Sequence, residues 1–460
     1  MPHTLLSLNY DVLSHILPLL SPQDASQLCL ASRAAYALAL PRILADVTLG
    51  GLYHKPGGSA LAQLTAFCNF VLAPAAAWHG APSARLDALQ NLHVMRDAVR
   101  VRRDGGWAVD PQAVALLSDV VGRARNLQKL TLWGSDALFA AYPDFGASTS
   151  TKTDESSTSI RTLVLGGDVP PLPMLARAFP HVRALEFVAA GGSCAPDWAI
   201  FAAAADAPTC SSQSQSDSQS NTLGAWQANL DSVDAGFPIL PLACPVRRVE
   251  LRNALVGDTY MLFCAREFLR RVRPVVLSAS VSTELSEEEV GAVLDAEVVA
   301  PGLRYLELVG DRCAGVKEAE EWSTRVANAL STVQAPLLGL SLSVTPSIPS
   351  MSIPSTLKPN YYISRPSSPA PAFAPTQSPA AQQQGQEKSV DLAALARTLA
   401  EHSPELQFIA LDLSSAPGAT EDAKPYFRVC DVHGEKKVVK MSEEEGRETV
   451  RRMRAFNRWD

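Results

Sequence analysis

The sequence predicts an α/β protein in which a strand and a helix repeat about every thirty residues behind a short N-terminal helical unit. Three observations predict this class. A six-residue template, apolar-x-x-apolar-x-apolar, recurs along the chain, amphipathic helical patterns separate most of its copies, and residues 8–44 show three short helical patterns of their own. The last four residues of each copy alternate like a strand with one buried face. Each repeat has an apolar face that only its neighbours can bury, so the repeats are expected to stack.

The ten copies of the template begin at an apolar residue and close on a strand. They are Leu44/Val47/Leu49, Leu89/Leu92/Val94, Leu127/Leu130/Leu132, Ile160/Leu163/Leu165, Val182/Leu185/Phe187, Val246/Val249/Leu251, Val272/Val275/Leu277, Leu303/Leu306/Leu308, Leu337/Leu340/Leu342 and Leu406/Ile409/Leu411. Most copies are followed by a turn or polar segment, and several are preceded by proline. The copy at 272–277 is the weakest because Pro274 interrupts it, and we discard it.

Helices are predicted between the strands. Asp110 and Pro111 start one as N-cap and first helical residue, and Ser286 with Glu289 forms a capping box for another. The predicted spans are 112–125, 173–179, 258–272, 286–299, 316–333 and 390–402. In the N-terminal unit, Asn9 or Asp11 begins the first helix, Ser21-Pro22 begins the second, and the third runs from Arg33 to Pro41.

Three polar segments divide the repeats, and such segments bury too little apolar area to offset chain entropy, so they are predicted to be disordered loops. The resulting units are residues 1–44 (helical), 45–143 (first repeats), 144–159 (insert), 160–205 (repeats), 206–224 (insert), 225–344 (repeats), 345–389 (Pro/Ser-rich insert) and 390–460 (last repeat and cap). Within the cap, residues 426–441 read as a β-hairpin turning at His433-Gly434. A charged helix from Ser442 to Arg458 follows it, with its acids first and its arginines later.

The composition limits the function. The 460 residues are 47% hydrophobic and carry a net charge of −7, which argues against a dedicated nucleic-acid or membrane-surface binder. Apolar runs stay well below the ~20 residues that span a bilayer. The sequence shows no secretion signal, and none of its eight cysteines has another at two-residue spacing. A cytoplasmic or nuclear protein with reduced thiols is therefore expected.

The chain lacks the compact catalytic signatures, including the G-x-S-x-G elbow, the P-loop and the H-E-x-x-H helix. Neither cysteine nor histidine shows zinc-ligand spacing. We therefore predict no catalytic residue, no metal and no cofactor. The best basic cluster outside the C-terminus, expected on an exposed loop, comprises Arg96, Arg100, Arg102 and Arg103.

One strand and one helix per repeat is the signature of a leucine-rich-repeat solenoid. Because the repeats lack the Asn or Cys ladder of regular members, they resemble the irregular variety. In that architecture the strands line a concave face, where the variable positions are expected to bind a protein substrate. The residues predicted for this face are Gln128, Lys129, Thr131, Arg304, Tyr305 and Glu307.

Residues 8–43 resemble an F-box. The positions that fit its pattern are Leu8, Asp11, Ile16, Leu20, Asp24, Leu28, Ser32 and Arg33. The sequence departs from the pattern at Asn9, Ala25, Ala31 and Ala35, with Tyr36 one residue after the usual aromatic. An F-box that leads into irregular leucine-rich repeats is similar to the arrangement of fungal F-box proteins.

The resemblance implies a substrate-recognition adaptor of a Skp–cullin–F-box ubiquitin ligase. The helical unit would dock an apolar stripe into a groove of the Skp-type adaptor, which connects it to a cullin, and the repeats would hold the substrate. The implied adaptor-binding residues are Leu8, Asn9, Val12, Ile16, Leu20 and Leu28. Two alternatives stay open: a leucine-rich scaffold acting outside ubiquitination, and an unrecognised enzyme.

Overall fold

A long sheet with most of its helices packed on one face organises the chain. The computed structural model describes residues 8–51, 59–73, 83–103, 106–146, 160–167, 170–188, 226, 230–238, 242, 244–295, 302–313, 315–332, 336–346, 391–403, 405–413, 425–433 and 435–455. Within these residues the fold is mixed α/β with a large, mostly parallel sheet, which confirms the predicted class at that level.

Thirteen described strands form the sheet, in the order β1-β2-β5-β6-β7-β8-β9-β10-β11-β12-β13-β14-β15. Their bounds are β1 Asp46–Leu49, β2 Asn91–Val94, β5 Lys129–Trp133, β6 Thr162–Gly166, β7 Ala184–Val188, β8 Ser232–Ala235, β9 Arg248–Leu255, β10 Val276–Ser282, β11 Tyr305–Cys313, β12 Gly339–Pro346, β13 Phe408–Asp412, β14 Tyr426–Val432 and β15 Glu435–Met441. Every pairing from β1 to β13 is parallel, and β14 and β15 add antiparallel at the end. A separate hairpin consists of β3 Arg100–Arg103 and β4 Gly106–Val109.

Helices connect most of the strands. They are α1 Tyr10–Ile16, α2 Pro22–Ala31, α3 Arg33–Leu44, α4 Ala60–Leu72, α5 Ser83–Ala88, α6 Pro111–Arg123, α7 Ser135–Ala141, α8 Leu172–Ala178, α9 Thr259–Val272, α10 Glu287–Leu294, α11 Val316–Thr332, α12 Leu392–His402 and α13 Glu443–Ala455, with a 3-10 turn at Leu17–Leu19. Asp110 caps α6 by accepting a hydrogen bond from the Ala113 amide at 2.9 Å. The capping box of Ser286 and Glu289 is also present at the start of α10.

The second apolar position of the template forms one continuous row through the core. Consecutive members pair in register from strand to strand, and each is at most 1% exposed. The row is Leu92, Leu130, Leu163, Leu185, Val233, Val249, Leu277, Leu306, Leu340 and Ile409. Burial of one such side chain contributes about 1.5–3 kcal/mol, so this row is a main source of the packing energy that holds the strands and the facing helices together.

The discarded template copy at 272–277 is in fact a strand. Leu277 pairs with Val249 on one side and Leu306 on the other, so the true register places Pro274 at the first template position. Proline is tolerated there because the ladder starts after it, with the amides of Val275 and Val276 donating to the Arg247 carbonyl at 2.9 Å.

Two further strand regions were missed. Strand β8 has the template Leu230/Val233/Ala235, all buried, and its small third residue hides it from a search for large apolar residues. Three residues of the basic cluster predicted on a loop, Arg100, Arg102 and Arg103, lie in β3 of the β3–β4 hairpin, where Arg102 pairs in register with Trp107.

Several predicted boundaries are wrong. Helix α3 continues through Pro41 to Leu44, since burial of Leu44 at 4% exposure holds the last turn in place. Helix α10 ends at Leu294 rather than 299. The predicted start of the first insert, at residue 144, is too early, because Phe145 is 2% exposed and packs edge-on against Phe139 and Phe179. Residues 147–159, 206–224 and 347–389 of the predicted inserts lie outside the described residues.

The described cysteines are free thiols, and burial raises the pKa of Cys68 to about 12 and of Cys244 to about 11. Above pH 9 the unfolded chain loses these protons while the folded protein keeps them, so stability must fall as the pH rises. Each thiol should contribute up to about 1.4 kcal/mol per pH unit to the loss of unfolding free energy between pH 9 and 11. Urea unfolding at several pH values gives the unfolding free energy at each pH. This free energy should fall less steeply with pH in the Cys68→Ala/Cys244→Ala variant than in the wild-type protein. An identical slope in both proteins would contradict the prediction.

Candidate partner-binding surfaces

The N-terminal unit, residues 8–44, is built from three capped helices. The Asn9 side chain lies at the N-cap of α1, 3.5 Å from the Asp11 amide. Ser21 caps α2 through the Asp24 amide at 3.1 Å, as the sequence predicts. Ser32 caps α3 through the Ala35 amide at 3.1 Å. Polar side chains therefore set the start of each helix, and Asn9, which departs from the F-box pattern, satisfies a local backbone group.

Small side chains pack the inside of this unit. Ala25, Ala35 and Ala39 are fully buried, and Leu13 is 4% exposed. The Arg42 Nε donates to the Leu20 carbonyl at 3.0 Å and ties α3 to the turn after α1. Since alanines fill the interface between the helices, the larger apolar residues have little room inside.

Large apolar side chains remain on the outside of the unit. Leu8 is 40% exposed, Val12 46%, Leu19 83% and Leu30 80%. Single exposed apolar residues need no explanation, but four within 23 residues mark an unusual surface. Leu19 and Leu30 were not selected from the sequence, because the family pattern does not use those positions.

The remaining residues implied for adaptor binding are also at the surface. Asn9 is exposed, whereas Ile16, Leu20 and Leu28 are half-buried. The six predicted residues thus differ in exposure, and Leu8 and Val12 are the most exposed of the apolar ones.

A second candidate surface is the open face of the sheet, which we define as the face opposite the helix-packed core. Alternate residues of each strand form it. Four of these residues carry carboxylates and lie in one register row that crosses β7, β8, β9 and β11. In β10 the same row contains Ser278. This acidic row consists of Glu186, Asp234, Glu250 and Glu307. Adjacent strands lie roughly 4.8 Å apart, so unpaired carboxylates here would repel one another.

Basic side chains on the same face neutralise the first part of the acidic row. Arg252 contacts Asp234 and also bonds Glu186 at 3.0 Å, while Lys129 lies 3.7 Å from Glu186. The hydrogen bond that Arg252 donates to Asp234 raises the pKa of Arg252; burial lowers it, and the hydrogen bond donated to Glu186 raises it further, so the net shift is upward. Arg248 pairs with Glu250 at 3.1 Å. These ion pairs fix the side chains of the open face, and the pairs that Arg252 and Lys129 make could not be read from the sequence because their partners lie on other strands.

The three predicted substrate-binding residues near β5 differ in accessibility. Gln128 is exposed just before the strand, Lys129 is half-buried in its ion pair, and Thr131 is only 5% exposed. The Thr131 hydroxyl has no hydrogen-bond partner in the described part of the chain. Gln128 and Lys129 are therefore the accessible members of this group.

The three predicted residues near β11 lie largely within intramolecular contacts. Arg304 donates to the Pro336 carbonyl at 3.1 Å and lies 3.8 Å from Glu405. Tyr305 is fully buried, and Glu307 is 8% exposed. Binding of a substrate to Tyr305 or Glu307 would therefore require another element to move.

That element is helix α13, which packs across the open face over β10–β13. Its Met453, with Val450 beside it, joins a small apolar cluster separate from the main core. The other buried members of this cluster are Val276, Tyr305, Phe408, Ala410 and Met441. Arg454 forms a two-point interaction with Glu307, one contact being a 3.1 Å hydrogen bond from Nε.

The electrostatics at Arg454 reflect this position. Burial lowers the pKa of Arg454, but the hydrogen bonds and charge of Glu307 outweigh it, so the pKa is raised above its ordinary value. Burial also raises the pKa of Tyr305, and the neighbouring Glu307 adds to the effect. Tyr305 therefore stays neutral and Arg454 of α13 stays charged at physiological pH.

No group of three or more His, Cys, Asp or Glu side chains within the described residues is arranged to hold a metal ion. Across the same part of the chain, no helix combines the length and apolar character needed to cross a membrane. No protein-family model matches the sequence, and no curated protein matches it significantly. The N-terminal unit and the open face are therefore the two candidate surfaces in the described part of the chain.

Proposed function

We propose that the chain is a substrate-recognition adaptor of a Skp–cullin–F-box ubiquitin ligase. The observation that carries the proposal is the apolar surface of the N-terminal unit, where Leu8, Val12, Leu19 and Leu30 are each at least 40% exposed. Exposed apolar side chains on short helices fit recognition in a hydrophobic groove of a partner. The residue pattern that resembles an F-box occupies the same three helices.

The proposal includes an irregular leucine-rich-repeat solenoid as the substrate-binding part. The parallel strands follow chain order, and one template position pairs in register through ten of them. A stack of that kind presents an extended face to partners. Catalysis lies elsewhere in such a ligase, so the chain would fix geometry and raise the effective concentration of its substrate.

A leucine-rich scaffold acting outside ubiquitination is the second candidate. The open face favours it, because this face is well packed and does not depend on the helical unit. Assembly of purified components separates the two functions. The full chain is mixed with a Skp-type adaptor and a cullin and resolved by size-exclusion chromatography. The ligase proposal expects one complex of all three proteins. A chain that binds the adaptor but excludes the cullin supports the scaffold, and a folded chain that elutes alone contradicts the ligase proposal.

A further inference from the structure

Helix α13 covers a preformed apolar patch with very few of its own residues. Of its thirteen residues, Gly446 and Met453 are buried. The sheet residues beneath it include two large aromatic side chains, and Val276, Tyr305 and Phe408 are each at most 2% exposed. These side chains belong to the apolar cluster that is separate from the main core, and Met453 and Val450 of α13 cover them together with Met441 and Tyr426.

The fit between α13 and the sheet is close at both ends. A Cβ atom on Gly446 would lie 2.1 Å from Cγ of Tyr426, a distance that real contacts do not reach. At the other end Met453 approaches Gly339, where an added Cβ would lie 3.5 Å from the methionine sulfur. Arg454 then reaches Glu307, whose side chain is 11% exposed. The open face therefore accommodates an apolar side chain in its cluster and, at the next residue, an arginine that pairs with Glu307.

We infer that the open face over β10–β13 is a binding site for an amphipathic partner helix with apolar residues at positions i and i+3 and arginine at i+4. Helix α13 occupies this site in cis through Val450, Met453 and Arg454. Charge complementarity with Glu307 and the apolar patch defines the partner's chemistry. The inference is independent of the ligase proposal, because it concerns the other end of the chain.

The contacts of α13 make its release feasible. Arg447 pairs with Glu443, and Arg451 with Glu448, so both pairs lie within the helix and survive its release. The described contacts between α13 and the sheet include the buried apolar contacts, the Arg454–Glu307 pair and the exposed Arg428–Glu445 pair. Elements with so few buried contacts open most readily in a folded protein.

Charge reversal tests the site in the full chain. The variants are Arg454→Glu, Glu307→Arg and the double swap, and the probes are labelled synthetic peptides of residues 441–455 with Arg454 or with Glu in its place. Hydrogen exchange of α13 should increase in both single variants and return to the wild-type rate in the double swap. The Arg454→Glu chain should bind the natural peptide at least about tenfold more tightly than the wild-type chain does, because its site is open and retains Glu307. The Glu307→Arg chain should prefer the reversed peptide.

Two more variants control the experiment. Gly446→Ala should release α13 by steric conflict with Tyr426 while leaving Glu307 in place, so this chain should also bind the natural peptide. Arg451→Glu makes the same charge reversal on the same helix but disturbs only an intrahelical pair, so it should stay closed. The inference is overturned if α13 is released in Arg454→Glu and Gly446→Ala and neither chain binds the natural peptide. It is also overturned if neither variant increases exchange in α13.

Discussion

Replacing Trp226 with alanine is expected to destabilise the fold by about 3–5 kcal/mol, the cost typical of removing a large buried aromatic side chain. Trp226 is fully buried, and its Nε1 donates to the Phe179 carbonyl at 2.9 Å. This hydrogen bond places Trp226 in the core beside the C-terminal end of α8. Loss of the hydrogen bond adds about 1 kcal/mol within that range.

Equilibrium unfolding in urea, followed by circular dichroism, measures the effect. Trp107 provides the matched control, since it is 65% exposed in the β3–β4 hairpin. Trp107→Ala should change the unfolding free energy by no more than about 0.5 kcal/mol. Equal shifts for the two variants would show that Trp226 does not anchor this part of the chain.

The second large effect is expected at the N-terminal unit. Val12→Asp should weaken binding of a Skp-type adaptor by at least about 100-fold, because a carboxylate placed in an apolar interface is desolvated without a partner. Val12 is 46% exposed in the free chain, so the substitution should leave folding intact. Titration calorimetry of the purified proteins gives the affinity change.

Val439→Asp is the control for this experiment. Val439 lies on β15 and is 43% exposed, so the same substitution is made at nearly the same exposure but far from α1. It should bind the adaptor like the wild-type chain. If Val12→Asp binds equally well, the exposed stripe of α1 is not the docking surface.

The core could be predicted because local patterns encode it. The template marks nine of the ten paired core residues from Leu92 to Ile409, including Leu277 from the copy we discarded. The exceptions have local causes. Ala235 is too small to register as a template residue, and Pro274 reads as an interruption although it precedes the ladder.

The surfaces could be predicted only in part. The exposed residues of the N-terminal unit follow from a sequence pattern, but Leu19 and Leu30 become visible only once alanines are seen to fill the interior. The acidic row depends on strand register. Glu186, Asp234 and Glu307 come together across inserts of different length, which no local pattern measures. The position of α13 over Glu307 is likewise a long-range contact, between residues 147 apart in sequence.

We expect the N-terminal unit to dock a Skp-type adaptor without any part taken by strands β5–β13. Hydrogen exchange of the full chain, alone and with excess adaptor, measures this. Exchange should slow in α1, α2 and the turn between them, at residues 10–31, and stay unchanged in β5–β13. Protection confined to the strands, or no protection anywhere in a folded chain, would contradict it.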